Sequence, residues 1–477
     1  MAYASVNPFN NKLIKKYPYA TDSEVDAAID KAQKAFPKWK DTPLEKRAQI
    51  FKKAAQLARE RAPKLGKIAT QEMGNVIQST TMEAHDIIPE MLDWLADNAK
   101  KALTPKHVTV PATDSDSIIT YAPQGIIFSI EPWNVPFYQP IRGFGPAAIA
   151  GNVVLLKHAS IVPHTAEAIV NLLHEAGLPE GVWQNLRLSH KQADRVISDP
   201  RIRQVTLTGS VGAGSHVSGL AGKHLRKTVL ELGGADPFVV LDDANLKLTI
   251  QGAMQRYWVS GQICISPKRM IVESPIYDKF IDNFKRANQS LNPGDPMSKK
   301  TTLGPLSSQS QADIVKAQIK KAKDHGATVT EIGPKVPNTG AFVQPTILTN
   351  VTKDNPIFHE EIFGPVTMLF KVNNDEQAIK LANDSPFGLS SKVYSSNTAR
   401  AVSVANQLDA GMSSINAPFT VYSGNPFGGT KNSGFGREMG IEGIREFTNV
   451  KPIALPQGDH GDYTKELSIP KELQREV

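Results

Sequence analysis

Residues 152–177 read NVVLLKHASIVPHTAEAIVNLLHEAG, and this stretch indicates the fold class. Its opening apolar run is typical of a strand that is buried on both faces of a parallel sheet. The residues from Pro163 onward then repeat apolar positions with the spacing of an amphipathic helix. Comparable apolar runs recur before and after it, at residues 125–130, 203–208 and 227–232. Buried strands that alternate with helices predict an α/β fold made of βαβ units.

A second alternating series begins near Pro237. Its apolar runs occupy residues 237–241, 268–273, 366–372 and 411–416. The double glycine at 233–234 is the expected boundary between the two series, because glycine pairs punctuate elements of regular structure. A chain of 477 residues is also too long for one hydrophobic core. We therefore expect at least two domains.

The first hundred residues have helical patterns. Thr21 and Glu24 stand at capping-box spacing before an apolar stripe, and Pro37 is expected to end that helix. A second helical run covers about 44–61, and a third precedes Lys101. Residues 106–121 then predict two extended segments around a polar turn.

The composition favours a cytoplasmic protein. Residues 1–16 lack the apolar core of a signal peptide, and no apolar stretch approaches the length of a membrane span. The single cysteine is typical of a reducing compartment. Lysine and arginine exceed aspartate and glutamate by 54 to 47, but they form no basic block with interleaved aromatic residues. We expect neither a membrane nor a nucleic acid as partner, and the excess suits an anionic substrate or cofactor.

That single cysteine, Cys264, lies in the sequence GQICIS (261–266) between two apolar runs. A lone thiol makes no intrachain disulfide, so it is either a small buried residue or a nucleophile. A glycine loop, GSVGAG (209–214), follows the strand pattern at 203–208 and forms either a tight turn or an anion site at a helix N-terminus. Its spacing differs from the dinucleotide fingerprint. Glu231 follows it and suits either a ribose hydroxyl or a general base, and position alone leaves both open.

Seven motifs together resemble the aldehyde dehydrogenase superfamily, and most closely its succinate-semialdehyde dehydrogenases. In chain order they are PWNVPF (132–137), KHAS (157–160), GSVGAG, LELGG (230–234), GQICIS, EEIFGPV (360–366) and PFGGTKNSGFGRE (426–438). The resemblance implies a Rossmann-like NAD(P)-binding domain, an α/β catalytic domain and a small β element for bridging and oligomerisation. The expected ranges are 1–105 with 124–233 for cofactor binding, 234–447 for catalysis, and 106–123 with 448–477 for bridging.

The resemblance also implies roles for three catalytic residues. Cys264 would be the nucleophile, and Glu231 the general base that activates water to hydrolyse a thioester. Asn134, which by itself could be a turn former beside two prolines, would supply one donor to the oxyanion. Glu438 would be either a partner in a proton relay or half of a surface ion pair.

The resemblance places the cofactor across the first series of strands. Lys157 would hold the adenosine ribose, and Glu361 with Phe363 would seat the nicotinamide ribose and ring. Ser160 stands where relatives that prefer NAD carry a glutamate, so NADP is favoured over NAD. The other expected contacts are Trp133, Gly209, Ser210, Gly214 and Leu232.

Arg142 gives the substrate prediction. It stands where relatives for simple apolar aldehydes carry an aromatic residue, and a guanidinium can grip a carboxylate through two hydrogen bonds. We therefore expect succinic semialdehyde, with a structural ion pair as the alternative role for Arg142. Trp258 replaces a second arginine of better-known members, which suggests weaker carboxylate binding or a broader substrate range.

Other functions remain as alternatives. Within the family these are a broad-specificity dehydrogenase and a non-phosphorylating dehydrogenase for phosphorylated aldehydes. Outside it, a cysteine hydrolase or transferase would also need one reactive thiol, although it usually pairs that thiol with histidine. No HExxH or paired Cys/His spacing occurs, so no metal is expected. The bridging strands favour a homodimer or homotetramer.

Overall fold

The computed structural model describes residues 3–417, 421–463, 465–467, 469 and 473. The strands in this part of the chain are β1 (Tyr3–Asn7), β2 (Lys12–Tyr17), β3 (Lys106–Val110), β4 (Ser115–Pro123), β5 (Ile126–Glu131), β6 (Val153–His158), β7 (Trp183–Asn185), β8 (Ile202–Thr208), β9 (Lys227–Glu231), β10 (Pro237–Val240), β11 (Arg269–Glu273), β12 (Thr328–Glu331), β13 (Thr346–Thr349), β14 (Val366–Val372), β15 (Phe387–Gly388), β16 (Ser390–Tyr394), β17 (Met412–Ile415), β18 (Thr430–Lys431), β19 (Gly434–Phe435) and β20 (Thr448–Ala454).

The α-helices of the described residues are α1 (Asp22–Lys40), α2 (Leu44–Met73), α3 (Ile77–Met82), α4 (Ile88–Leu103), α5 (Tyr138–Ile149), α6 (Pro163–Glu175), α7 (His190–Ser198), α8 (Val211–Lys223), α9 (Leu246–Met254), α10 (Ser274–Asn288), α11 (Gln309–Asp324), α12 (Asp375–Asn383), α13 (Thr398–Asn406) and α14 (Gly440–Glu446). A π-helical turn, Glu83–Ile87, joins α3 to α4, and 3-10 turns occupy Gln255–Gly261 and Pro356–His359.

The first sheet has the described strand order β19-β9-β8-β5-β6-β7. The pairs from β9 to β7 are parallel, whereas β19 runs antiparallel to β9 at the edge. This order is that of a doubly wound sheet, in which the chain works outward from a central strand in both directions. Ligands of such sheets bind beyond the carboxyl ends of the strands. In this protein the parallel strands β5, β6, β8 and β9 have their carboxyl ends at the same edge of the sheet.

The second sheet has the described order β12-β13-β14-β11-β10-β16-β17, and only its β12–β13 pair is antiparallel. Along β10, Val239 packs into one hydrophobic cluster, while Phe238 and Val240 pack into another. Successive side chains of a strand point to opposite faces, so both faces of this sheet are buried. The α/β class and the two series of strands predicted from the sequence are confirmed.

A separate antiparallel sheet joins distant parts of the chain. Its described order is β20-β4-β3, with Thr448 opposite Pro123 and Ala454 opposite Ser117. The extended segments predicted around residues 106–121 and 448–456 are therefore strands. The assignment of residue ranges to domains, and the bridging role of this sheet, remain predictions.

Two predicted helix ends are wrong. Helix α1 contains Pro37 and continues to Lys40, and α2 contains Pro63 and continues to Met73. The turn after Pro37 carries Trp39, which is 1% exposed and whose Nε1 donates to the carbonyl of Ala148 at 2.9 Å. Burial of a tryptophan outweighs the bond that a proline removes from a helix.

The described helices were also compared with the length and hydropathy that a bilayer requires. None of them combines the length and the apolar character needed to cross a membrane.

Candidate active site

A cavity of about 590 Å³ lies between the two large sheets, and Cys264 opens onto it. Helix α5 and the π-helical turn contribute to its wall, as does the loop that follows residue 420. Its described lining residues are Met82, Asp86, Ile87, Glu90, Asn134, Val135, Tyr138, Gln139, Arg142, Gln255, Trp258, Ile263, Cys264, Ile265, Val421, Tyr422, Ser423 and Phe427. Asn134, Arg142 and Cys264 are thus brought to one cavity, as the sequence predicted.

Cys264 lies in a turn that follows a strained segment. Val259, Ser260 and Gly261 all have positive φ, at 49°, 53° and 82°. A Cβ at Gly261 would collide with the carbonyl oxygen of Gly364, so only glycine fits there. Such strain is typical of residues that a fold holds in place for function.

Asn134 is fixed in the loop between β5 and α5. Its Nδ2 donates to the carbonyl of Gln262 at 3.0 Å, and its Oδ1 accepts from Nε2 of Gln139 at 3.2 Å. The buried His158 supports the same loop, because its Nε2 lies 2.8 Å from the carbonyl oxygen of Pro136. The oxyanion candidate is therefore tied directly to the loop that carries Cys264.

Arg142 and three carboxylates form a buried ionic cluster, here called the Arg142 group: Arg142, Glu131, Glu231 and Glu438. Nε of Arg142 lies 2.5 Å from Oε2 of Glu438, and its Nη2 donates to Oγ1 of Thr208 at 3.1 Å. The guanidinium also stacks over the Phe427 ring at 4.3 Å. The surface location considered for Glu438 is wrong, since this side chain is fully buried.

Glu231 is the least satisfied member of the Arg142 group. Among the described residues, neither oxygen of Glu231 has a hydrogen-bond partner, nor does Oε2 of Glu131. Oε1 of Glu131 accepts from Oγ of Ser129 at 2.6 Å. Burial raises the pKa of Glu231 to about 8, against the pull of Arg142. Burial and then Glu438 raise the pKa of Glu131 well above its usual value.

Cys264 is a protonated thiol at neutral pH in this environment. Burial raises its pKa to about 11, although Arg142 and Lys268 act in the opposite direction. Glu231 and Asp236 add to the increase. A nucleophilic role therefore requires a further change that favours the thiolate.

A second cluster, here called the Lys268 group, holds the Cys264 turn from below: Lys268, Glu361 and the carbonyls of Ile263 and Cys264. Nζ of Lys268 donates to those two carbonyls at 2.8 and 2.5 Å and lies 3.2 Å from Oε1 of Glu361. Sequence reasoning missed Lys268. A lysine immediately before the buried strand β11 was the available signal.

The expected cofactor residues lie beyond the carboxyl ends of β6, β8 and β9. Lys157 is in β6, and Ser160 is exposed just after that strand. Gly209 precedes α8, and Ser210 caps that helix by accepting from the N–H of Ala213 at 3.3 Å.

Other expected cofactor residues meet in pairs. Gly214 packs so closely on Leu232 that a Cβ would overlap the leucine side chain. The rings of Trp133 and Phe363 make an edge-to-face contact at 5.7 Å. Glu361 accepts from the backbone N–H of Gly234 at 3.1 Å. The space outside the carboxyl ends of β6, β8 and β9 is here called the cofactor crevice, after the rule for doubly wound sheets, and the roles of these residues remain predictions.

The crevice suits a dinucleotide. The first N–H groups of α8 have no acceptor within the helix, and a helix N-terminus favours phosphate. The space over Gly212 is open, because a Cβ built there would meet no described atom within 4 Å.

Comparisons with known proteins agree with this geometry. Residues 1–453 match the aldehyde dehydrogenase family. The chain is 42% identical over 452 residues to the succinate-semialdehyde dehydrogenase [NADP(+)] of Deinococcus radiodurans, covering 94% of each chain. It is 39% identical over 458 residues to a probable succinate-semialdehyde dehydrogenase [NADP(+)] of Synechocystis, covering 95% of this chain and 99% of that one.

One similar solved structure is a succinic semialdehyde dehydrogenase from Streptococcus pyogenes in complex with NADP+ as the cofactor. It superposes with a TM-score of 0.92 at 38% identity, over 95% of this chain and all of that one. The cofactor-binding fold expected from the sequence is therefore confirmed.

Proposed function

This chain belongs to the aldehyde dehydrogenase family, and from that premise we propose that it oxidises succinic semialdehyde to succinate with NADP as hydride acceptor. One observation carries the proposal. The wall of the cavity that holds Cys264 also carries Arg142, which is the single positively charged side chain among its described lining residues. A cation at that place suits an aldehyde whose far end is a carboxylate.

In the first step the Cys264 thiol loses its proton to solvent, and the thiolate attacks the aldehyde carbon. A carbon–sulfur bond forms, and the electron pair of the C=O bond moves to oxygen to give a tetrahedral oxyanion. Nδ2 of Asn134 uses one hydrogen on the carbonyl of Gln262, so its second hydrogen is available to the oxyanion. The backbone N–H of Cys264 has no acceptor among the described residues and supplies the second donor. Loss of one such donor typically costs about 3 kcal/mol of barrier.

The second step regenerates the thiol. NADP, when bound, supplies the hydride acceptor that turns the tetrahedral adduct into a thioester on Cys264. Glu231 then takes a proton from water, whose oxygen attacks the thioester carbon and releases the carboxylate product. Burial raises the pKa of Glu231 to about 8, so its ionised form is a stronger base than an exposed carboxylate and becomes more populated as the pH rises towards 8.

The cofactor preference rests on Ser160 and Lys157. A serine at 160 leaves out the carboxylate that would repel a 2′-phosphate, and the ammonium of Lys157 adds attraction. We propose NADP over NAD on this ground, and NADP-dependent relatives at 39–42% identity support it.

A second candidate is a dehydrogenase for neutral, apolar aldehydes. Arg142 already pairs with Glu438, so a substrate carboxylate would share the guanidinium with a protein carboxylate. Asp86 and Glu90 lie in the same cavity wall and oppose an anionic substrate, whereas Trp258 and Phe427 present aromatic surface to it.

The decisive experiment compares initial rates of nicotinamide reduction with succinic semialdehyde and with a neutral aldehyde of equal length. Each is measured with NADP and with NAD, for the wild type and Arg142→Ala. We expect a strong preference for the acid that Arg142→Ala abolishes through KM. Equal rates with both aldehydes, unchanged in the variant, favour the neutral-aldehyde candidate. No reduction in any combination contradicts the dehydrogenase assignment for these substrates.

We also propose a homodimer or homotetramer in the cytoplasm. The antiparallel β20-β4-β3 sheet has β3 at an edge, which offers a strand for pairing with another copy. The single, unpaired cysteine supports a reducing compartment. Sedimentation velocity of the purified chain measures the assembly, and a monomer would contradict it.

A further inference from the structure

Lys268 is buried next to the turn that carries the nucleophile, Cys264. It is 1% exposed, and its ammonium makes three close contacts: the carbonyls of Ile263 and Cys264, and Oε1 of Glu361. Two of the three N–H donors of the ammonium are hydrogen-bonded to these carbonyls, and its charge is paired with Glu361. A buried charge with this many partners has one orientation, and it fixes the groups that it binds.

Glu361 is the member of the Lys268 group that faces the cofactor crevice. Its Oε1 accepts from the backbone N–H of Gly234, and the ring of Phe363 lies 5.9 Å from Nζ of Lys268. Under the proposed function, Glu361 holds the nicotinamide ribose. One ammonium therefore contacts both the nucleophile turn and the carboxylate that would bind the cofactor.

A neighbouring lysine provides an internal comparison. Lys392 is as deeply buried as Lys268, and its Nζ donates to the carbonyl of Ile265 at 2.7 Å. It lies 3.9 Å from Oδ2 of Asp236. Lys392 therefore supports the same loop, but among the described residues it has no hydrogen bond or ion pair with Cys264 or Glu361, and its charge acts on Cys264 only at longer range.

We propose that Lys268 is a positioning residue that couples occupancy of the cofactor crevice to the reactivity of Cys264. This inference rests on the proposed function for the identity of the ligand at Glu361. Ribose hydroxyls donate hydrogen bonds to a carboxylate and compete with Lys268 for Glu361. The ammonium then acts more strongly on Cys264 and favours its thiolate.

The charges around Cys264 come from several elements. They are Arg142 in α5, Glu231 at the end of β9, Asp236 before β10 and Lys268 before β11. Arg142 is already offset by Glu438, and Lys268 by Glu361. Removal of Lys268 should therefore raise the pKa of Cys264, and removal of the Glu361 charge should lower it. A purely structural role of Lys268 would not produce opposite shifts.

The test is the pH dependence of alkylation of Cys264 by iodoacetamide in the full chain, without substrate. Because Cys264 is the only cysteine among 477 residues, the label reports on this thiol alone. We expect Lys268→Met to raise the midpoint by about one pH unit and Glu361→Gln to lower it. Lys268→Arg should restore most of the wild-type value, and Lys392→Met should shift it less than half as far as Lys268→Met.

The same titration is repeated with saturating NADP. We expect NADP to lower the midpoint of the wild type and to leave that of Lys268→Met unchanged. An unshifted midpoint in Lys268→Met, or an equal shift in Lys392→Met, would overturn the inference.

If Lys268→Met does not fold, the Glu361→Gln variant tests the proposal instead. A lower midpoint of Cys264 alkylation in this variant supports the coupling, and an unchanged midpoint contradicts it. Alkylation needs no turnover, so failure of the dehydrogenase proposal would show separately, as absent NADP reduction with a normal set of midpoints.

Discussion

The two ionic clusters on either side of Cys264 are both buried but differ in how fully their atoms are bonded. In the Lys268 group the cation has two hydrogen bonds to carbonyls and an ion pair with Glu361. In the Arg142 group three carboxylates surround one guanidinium, and Glu231 has no hydrogen-bond partner among the described residues. A buried carboxylate without partners destabilises a fold.

The difference in hydrogen bonding suits one cluster to positioning and the other to proton transfer. A cluster whose charged atoms are hydrogen-bonded or paired holds those atoms in place and does not readily exchange protons. A cluster with excess carboxylates must hold protons at neutral pH, and it can release or accept them when a substrate arrives. The Lys268 group therefore orients the nucleophile, and the Arg142 group is suited to handle the proton of the attacking water.

The largest expected effect comes from Glu231→Gln. Removal of the base should lower steady-state turnover by about 10⁴-fold, because hydrolysis of the thioester then lacks general-base assistance. The initial burst of reduced nicotinamide should remain, and rapid mixing measures both phases. Cys264→Ser is the control and should lose burst and turnover together. Equal losses of burst and turnover in Glu231→Gln would assign Glu231 to the first step instead.

Arg142→Met should lower the free energy of unfolding by about 3 kcal/mol, since it leaves the buried carboxylate of Glu438 without its cation. Adding Glu438→Gln should recover most of that loss. Urea denaturation measures each variant. Arg195→Met is the matched control, because Arg195 is an exposed partner of Asp26 and its removal should cost far less stability. A loss in Arg142→Met as small as in the control would mean that the Arg142 group is not a stabilising unit.

A smaller effect concerns pH and Glu231. In the unfolded chain this carboxyl ionises near its usual pKa of 4.5, whereas in the folded protein it keeps its proton up to about pH 8. Its contribution to stability is therefore fully present below pH 4.5 and is lost as the pH rises to about 8.

Relative to Glu231→Gln, the wild type should lose about 1.4 kcal/mol of unfolding free energy for each pH unit within that window. Parallel urea curves at both ends of the window measure it. A constant difference between the two proteins would show that Glu231 is ionised in the fold.

The smallest expected effect tests the cofactor side. Ser160→Glu should raise the KM for NADP about tenfold relative to that for NAD, because a carboxylate there repels the 2′-phosphate. Ser160→Ala serves as the control and should keep the preference. An unaltered ratio in Ser160→Glu would place the 2′-phosphate away from this residue.

The sequence was a good guide to the strands and a poorer one to the ends of helices. The apolar run 153–156 forms a buried strand, as expected for the centre of a parallel sheet that is covered on both faces. Pro37 misled the prediction, since the contact between Trp39 and Ala148 depends on packing that local pattern does not contain. The strands β1 and β2 were missed because β2 is lysine-rich and largely exposed, so it lacks the alternation of apolar and polar residues that predicts a strand.

The site was predictable where motifs carry it. Asn134 and Cys264 reach one cavity as expected, because their motifs follow β5 and precede β11 at the same edge of the two sheets. The pairing of Arg142 with Glu438 joins α5 to a segment near the end of the chain, and no local spacing reports such a contact. Lys268 was missed because its three partners become neighbours only after the turn has folded.

The edge strand β19 has a consequence for synthesis of the protein on the ribosome. It pairs with β9, the strand that ends in Glu231, yet it leaves the ribosome long after the rest of that sheet. The edge of strand β9 is therefore unpaired until β19 has been synthesised, and an unpaired strand edge can pair wrongly with other nascent chains. Glu438 follows three residues after β19 and arrives just as late. A ribosome that stalls or terminates before this segment would release a chain with an exposed sheet edge and with Arg142 lacking its ion-pair partner Glu438, and chaperones bind such chains.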